Sequence, residues 1–149
     1  MFRHILPLVV LGGAFAANAP AADNDEITLF NSKGKATAYI AMDKEMTIYM
    51  WNGKPAAYLK SDRGTKGFHI FGFNGKHIGW FVEGIVRDHE GDAACAVKGR
   101  MKSTDFEPFK DFKEFTPFKA FTEFPPFRPF FSKSFGDVTC AAFLMEGAA

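Results

Sequence analysis

Phenylalanine stands at every third position from residue 106 to residue 130. The series consists of Phe106, Phe109, Phe112, Phe115, Phe118, Phe121, Phe124, Phe127 and Phe130. A strand would turn successive members to opposite faces, and in an α-helix each ring would lag about 60° behind the previous one. A period of three matches polyproline II, which has three residues per turn. This series, the Phe ladder, predicts an extended polyproline-II-like ribbon.

The other two faces of the ribbon are polar. The face that follows each Phe carries Lys110, Lys113, Lys119 and Arg128, and the residues that precede each Phe are acidic or proline except Ala120. Two polar faces and one apolar edge predict a ribbon that lies along its own domain and hides the rings there. Burying nine Phe would contribute about 13–27 kcal/mol, which is close to the entropic cost of ordering the segment. An arm that binds a partner therefore remains the alternative.

The first 22 residues are typical of a secretory signal peptide. Arg3 and His4 form a short basic start, an apolar run covers residues 5–16, and small residues follow. The run is short for a membrane span, although an uncleaved anchor stays open. We therefore expect a periplasmic or secreted protein with no membrane span after cleavage.

Charge excludes some partners of the exported chain. Without Arg3, the 18 basic residues become 17, which equals the 17 acidic residues. A near-neutral protein lacks the basic footprint that nucleic acids require. It also has no electrostatic reason to bind an anionic membrane.

Residues 27–100 contain four related units, each with a glycine at its centre. The glycines are Gly34, Gly53, Gly75 and Gly91. Five residues later come Tyr39, Tyr58, Trp80 and Ala96, and one residue before these come Ala38, Ala57, Gly79 and Cys95. Asn52-Gly53 and Asn74-Gly75 predict two-residue turns in which both residues have positive φ. Each unit is therefore predicted to be a β-hairpin, and the small residues predict close backbone approach inside the fold.

Residues 48–59 (IYMWNGKPAAYL) and 70–81 (IFGFNGKHIGWF) resemble the bacterial four-fold β-flower domain proteins. The resemblance implies an all-β fold of four hairpins with pseudo-four-fold symmetry, followed by a proline-rich tail with a regularly spaced apolar residue. It implies no activity and no site residue.

The remaining chain is divided by composition. We expect the hairpin domain at residues 27–100, the Phe/Pro-rich wrapping segment at 101–135, and a C-terminal strand and tail at 136–149. Cys95 and Cys140 are the two cysteines, and in an oxidising compartment they either form a disulfide or stay as buried thiols.

No catalytic constellation, metal motif or cofactor motif is present in the sequence. The mature chain has three histidines, His69, His77 and His89, without the spacing of a helical metal pair. We therefore predict no enzyme, no metal and no cofactor.

Two functions of different classes remain. The first is an exported, non-enzymatic structural or interaction module of the cell envelope, with an unknown protein or envelope component as partner. Its predicted contacts are aromatic and lysine residues near the turns, namely Trp51, Lys54, Phe73 and Lys76. The second is a small-ligand or carbohydrate-binding domain that stacks its ligand on Tyr39, Tyr58 and Trp80.

Overall fold

The chain folds into a closed β-barrel. The structure, a computed structural model, describes residues 25–101 and 107–148, so the predicted signal peptide and Phe106 lie outside it. The strands are β1 (Glu26–Phe30), β2 (Ala36–Ala41), β3 (Thr47–Met50), β4 (Pro55–Ser61), β5 (Phe68–Gly72), β6 (His77–Val82), β7 (Ile85–Arg87) and β8 (Ala93–Ala96). Each strand pairs antiparallel with the next, and β8 closes the barrel on β1. Among the described residues, no helix has the length and apolarity to cross a membrane.

Strand alternation separates an inner from an outer face. Ala38 and Ile40 of β2 belong to the main hydrophobic core, whereas Tyr39 between them packs with Tyr49 in a separate cluster. Tyr58 of β4 packs in another cluster with Phe71. The core holds mainly aliphatic side chains, and the outer rings Tyr39, Tyr49, Tyr58 and Phe71 lie on the opposite face because successive side chains of a strand alternate.

The four hairpin turns share one geometry, which differs from the predicted two-residue turn. In the second turn the Gly53 N–H donates to the Met50 carbonyl oxygen (2.8 Å), and the Met50 N–H donates to the Lys54 carbonyl oxygen (2.8 Å). Only the glycine has positive φ (89°), so Asn52 keeps an ordinary backbone and its Oδ1 accepts from the Lys54 N–H. The loop therefore contains three residues, as expected when a type I turn is followed by a glycine bulge.

The same bulge recurs in the four glycine-centred hairpins, β1–β2, β3–β4, β5–β6 and β7–β8. The register shifts at four equivalent steps: Leu29/Phe30, Ile48/Tyr49, Ile70/Phe71 and Val86/Arg87. Each step lies between the residues five and four positions before the turn glycine. A bulge increases local twist, and four of them help eight short strands to close.

The small residues permit close packing inside the barrel. Ala38, Ala57 and Cys95 are completely buried in the core. A methyl group on Gly79 would lie 2.0 Å from the Arg87 carbonyl oxygen and 2.8 Å from the tip of the Phe143 ring. Any larger residue at position 79 would push apart β6, β7 and the C-terminal segment.

The predicted C-terminal strand is wrong, because residues 140–145 form a helix, α1 (Cys140–Met145). Thr139 caps it by accepting from the Ala142 N–H (3.1 Å). Cys140, Phe143 and Leu144 follow the i, i+3, i+4 spacing of one helix face, and all three are buried in the barrel core. Cys140 forms a disulfide with Cys95 of β8 (Cα–Cα 5.0 Å), which attaches the helix to the barrel.

Candidate interaction surface

The Phe ladder lies against the barrel, but its rings face away from it. The prediction that the rings are buried is therefore wrong for every described member. Eight side chains are between 91% and 102% exposed: Phe109, Phe112, Phe115, Phe118, Phe121, Phe124, Phe127 and Phe130. The ribbon, residues 107–132, touches the barrel with its backbone and its basic side chains, and also with the Glu107 and Glu123 carboxylates and the Phe131 ring.

Backbone hydrogen bonds attach the ribbon to the hairpin turns. The Asp111 and Glu114 N–H groups donate to the Trp51 and Gly53 carbonyl oxygens (3.2 and 2.9 Å). Nine residues later, the Ala120 and Glu123 N–H groups donate to Phe73 and Gly75 (2.9 Å each), and the Ser132 N–H donates to Gly91 (3.0 Å). The ribbon thus advances nine residues, or three rungs of the ladder, from one turn to the next.

The turn glycines leave room for the ribbon. A methyl group on Gly53, Gly75 or Gly91 would lie 1.8, 2.1 or 2.0 Å from the carbonyl oxygen of Phe112, Phe121 or Phe130, respectively. These three Phe are also nine residues apart. Each glycine therefore serves both the positive φ of its turn and the close approach of the ribbon.

Basic side chains of the ribbon cover the outer aromatic residues. The Lys110 ammonium lies 4.4 Å from the Tyr39 ring centroid and 5.2 Å from that of Trp51. Lys119, nine residues later, lies 4.4 Å from the Tyr58 ring centroid. Such cation–π contacts are worth about 0.5–2 kcal/mol each. They explain why the basic face of the ribbon, rather than the Phe face, meets the barrel.

The same cations pair with acids of the barrel. Lys110 and Lys113 both bind the Glu26 carboxylate, and Lys119 binds Glu45 (3.1 Å). Burial alone would raise the pKa of Glu26, but the hydrogen bonds from the two lysines outweigh it and lower that pKa. Arg128 binds Asp62 (2.9 Å) at the β4–β5 connection.

At the third aromatic site the barrel supplies the cation and the ribbon supplies a ring. Where neighbouring hairpins meet, Tyr39 of β2 is paired with Tyr49 of β3, and Tyr58 of β4 with Phe71 of β5. At the equivalent place between β6 and β7, Trp80 is paired with Arg87. The ribbon supplies the ring instead, since Phe131 lies 4.9 Å from the Arg87 guanidinium. Phe131 follows the last rung of the ladder and is partly buried.

A row of histidines lies beneath this part of the ribbon, and the sequence did not predict it. His77 Nε2 is 3.0 Å from His69 Nδ1, and His77 Nδ1 is 3.0 Å from His89 Nε2. Burial, with smaller contributions from His69 and His89, lowers the pKa of His77 to about 3. Burial also lowers the pKa of His69, whose Nε2 lies 3.5 Å from Asp62. His69 lies two residues before Phe71, so the alternation of side chains along β5 could have predicted that it lies on the outer face of the barrel. No spacing in the sequence indicates that His89 lies next to His77.

The residues predicted as contacts separate into two groups. Lys54 and Lys76 are exposed on the turns, and Trp51 is partly buried with its Nε1–H donating to the Pro108 carbonyl oxygen (3.2 Å). Tyr58, Phe73 and Trp80 are buried, at 6%, 1% and 1% exposure, and so is Tyr39. Stacking of a ligand on Tyr39, Tyr58 and Trp80 is therefore contradicted, because barrel and ribbon cover these rings. Across residues 25–101 and 107–148, no three His, Cys, Asp or Glu side chains are grouped to hold a metal ion.

Residues 27–144 match the model of a family described as 4-fold beta flower protein. This chain belongs to the 4-fold beta flower family. The matched range includes nearly all of the barrel, the ribbon and most of α1, and it confirms the resemblance of residues 48–59 and 70–81. Comparisons with curated proteins and with solved structures gave no match. Membership gives the fold of this beta flower protein and assigns no activity to it.

Proposed function

We propose that this beta flower protein is an exported, non-enzymatic structural or interaction module of the cell envelope, and that the Phe ladder is its contact surface. One observation carries the proposal. Eight consecutive rungs are almost fully exposed on a backbone that is hydrogen-bonded to the barrel at three hairpin turns. A free tail would have to be ordered on binding, whereas this ribbon presents its rings in advance.

The size of the apolar surface supports a contact role. Eight Phe side chains offer about 1,200–2,000 Å² if each can bury 150–250 Å². The largest apolar patch of an ordinary monomer measures only about 300–600 Å², and a stable protein–protein interface buries about 1,200–2,000 Å² in total. The ladder therefore offers more apolar surface than a solitary monomer usually leaves in water.

The finer architecture belongs to the same proposal. We infer that the four hairpins are related by a pseudo-four-fold axis and that the ribbon is polyproline-II-like, with three triplets for each hairpin. The shared turn geometry and the nine-residue interval between anchoring points support this arrangement. In such a barrel the Phe ladder runs around the outside at a constant height.

The experiment compares two variants of the exported full chain. Phe118→Ser, Phe121→Ser and Phe124→Ser together remove the middle of the ladder, where the side chains are at least 93% exposed. The matched control, Met42→Ser with Val138→Ser, removes the other large hydrophobic side chains that are exposed within the described chain. We expect the wild type and the control to sediment with the envelope fraction and the ladder variant to become soluble.

Mass spectrometry of the recovered protein also tests the export expectation, because a processed N-terminus should appear near residue 22. Equal distribution of the wild type and the ladder variant between fractions would contradict the contact role of the rings. Recovery of an unprocessed chain in the cytoplasm would contradict export.

A further inference from the structure

We propose that the occupant of the Phe ladder is a second copy of this chain, with the rungs of neighbouring ladders interdigitated. This inference rests on the proposed function and identifies its partner. The first support is the small amount of other apolar surface on the described residues. Apart from the ladder, the exposed large hydrophobic side chains of the described residues are Met42 and Val138, at 39% and 41% exposure. A second copy can therefore match one ladder only with its own ladder.

The spacing of the rungs suits this arrangement. Three residues of extended chain advance about 9–11 Å, which leaves room between adjacent rings for one ring of another ladder. An inserted ring would lie about 4.5–5.5 Å from each neighbour, at the short end of the 4.5–7 Å that aromatic pairs prefer. The period of three is therefore self-complementary.

The curvature of the ribbon limits how many rungs a second copy can contact, and therefore how many copies must associate. Between Gly53 and Gly91 the ribbon advances 18 residues, from Phe112 to Phe130. In the pseudo-four-fold arrangement this covers two of the four intervals between adjacent turns, which is half of a circle around the barrel. At about 3.1 Å per residue this half-circle has a radius of about 18 Å. A neighbour of similar convexity can reach about three rungs, or about 450–750 Å² on each copy. That is less than the roughly 800 Å² per partner of a stable interface, so each copy needs more than one neighbour.

Charge favours another protein over a lipid surface. The ribbon cations that could attract anionic headgroups are directed to the barrel, where Lys110 and Lys113 bind Glu26 and Arg128 binds Asp62. Asp111 and Glu114 remain exposed on the ribbon and would repel an anionic surface. Two ladders can approach each other without unpaired lysines between them.

The decisive measurement is sedimentation velocity of the purified, processed protein over a roughly hundred-fold range of concentration. We expect the wild-type mass to rise continuously above that of the monomer without a stop at the dimer. The variant Phe118→Ser/Phe121→Ser/Phe124→Ser should need about ten-fold or more higher concentration to associate. The control Met42→Ser/Val138→Ser should behave as the wild type, and equal melting temperatures would establish that all three proteins are folded.

A photo-reactive benzoylphenylalanine in place of Phe121 tests the contact itself. We expect it to cross-link to residues 107–130 of another copy. Cross-links to the barrel of the second copy instead, or a wild type that stays monomeric throughout, would overturn the inference. Flotation of a monomeric wild type with phosphatidylcholine vesicles would identify a lipid surface as the occupant, and that also overturns it. In either case, continued dependence of envelope sedimentation on the ladder would leave the proposed function standing.

Discussion

In the second, third and fourth turns, the glycine at the third loop position must both adopt a positive φ and leave room for the ribbon, and no other residue meets both demands. At Gly75 the backbone has φ of 88°, and a methyl group would lie 2.1 Å from the Phe121 carbonyl oxygen. Left-handed backbone costs an ordinary residue about 1–2 kcal/mol, and the steric contact would add to that cost by displacing the ribbon.

We therefore expect Gly75→Ala to lower the free energy of unfolding by at least about 1–2 kcal/mol, measured by urea denaturation. Tryptic cleavage at Lys119, in the ribbon beside this turn, should also accelerate. Gly64→Ala is the matched control, because no atom lies within 4 Å of its added methyl group and its φ is not positive. Equal effects of the two substitutions would show that the ribbon does not depend on the turn glycine.

His77 makes stability depend on pH. The residue is 2% exposed and its ring is surrounded by His69, His89 and Trp80, while its backbone N–H donates to the Glu123 carboxylate of the ribbon. The unfolded chain accepts a proton at this residue near the ordinary pKa of 6.5, whereas the folded barrel resists protonation down to a pKa of about 3. Stability is therefore greatest above the unfolded value and falls as the pH decreases.

Between pH 7 and pH 5 the loss attributable to His77 should reach up to about 2 kcal/mol, a range in which most carboxylates remain ionised. The check is the difference in unfolding free energy between the two pH values for the wild type and for His77→Gln. The variant should lose less stability on acidification, although His69, whose pKa is also lowered, keeps part of the effect. Parallel losses in both proteins would refute this assignment.

At the scale of elements, the ribbon is oriented by its backbone and its cations rather than by its apolar edge. Apart from that of Ser132, the N–H groups that bond to the turns belong to residues immediately before Phe, such as Glu114 and Glu123. Lys110 and Lys119 then reach aromatic rings and acids of the outer barrel. Because these N–H groups and the basic side chains are directed to the barrel, the Phe side chains point outward.

Helix α1 depends on tertiary attachment, because six residues are too few for an isolated helix. The Cys95–Cys140 link, with a sequence separation of 45, connects it to β8. Replacing both cysteines with Ala should lower the free energy of unfolding by about 2–4 kcal/mol, measured by urea denaturation.

The wild type in dithiothreitol should match the double Ala variant, whereas the oxidised wild type should unfold at higher urea. Indistinguishable midpoints for the oxidised protein and the variant would mean that Phe143 and Leu144 hold the helix without help from the bond.

At the scale of the whole molecule, local rules predicted the repeat and missed what depends on contacts between distant segments. Turn glycines and strand alternation indicated the hairpins, because these are demands of the local backbone. The loop type was wrong because Asn52 supports the turn with its side chain and does not need positive φ. The C-terminal helix was missed because its face, Phe143 and Leu144, is explained only by the barrel interior that receives it.

The amino-acid order alone determined the family, the all-β class, the four turns and the period of three, since each is encoded within a few neighbouring residues. Only the tertiary structure decided which groups of the ribbon meet the barrel, which histidines touch, and that one face of α1 packs into the barrel core. The physical reason is that the hydrophobicity of one face does not by itself specify which face of the ribbon packs against the barrel. A ribbon with one apolar and two polar faces can pack any of them against the barrel. Here its lysines bind residues of the barrel that are distant in sequence, namely Tyr39, Tyr58, Glu26 and Glu45. The phenylalanines are therefore left in solvent.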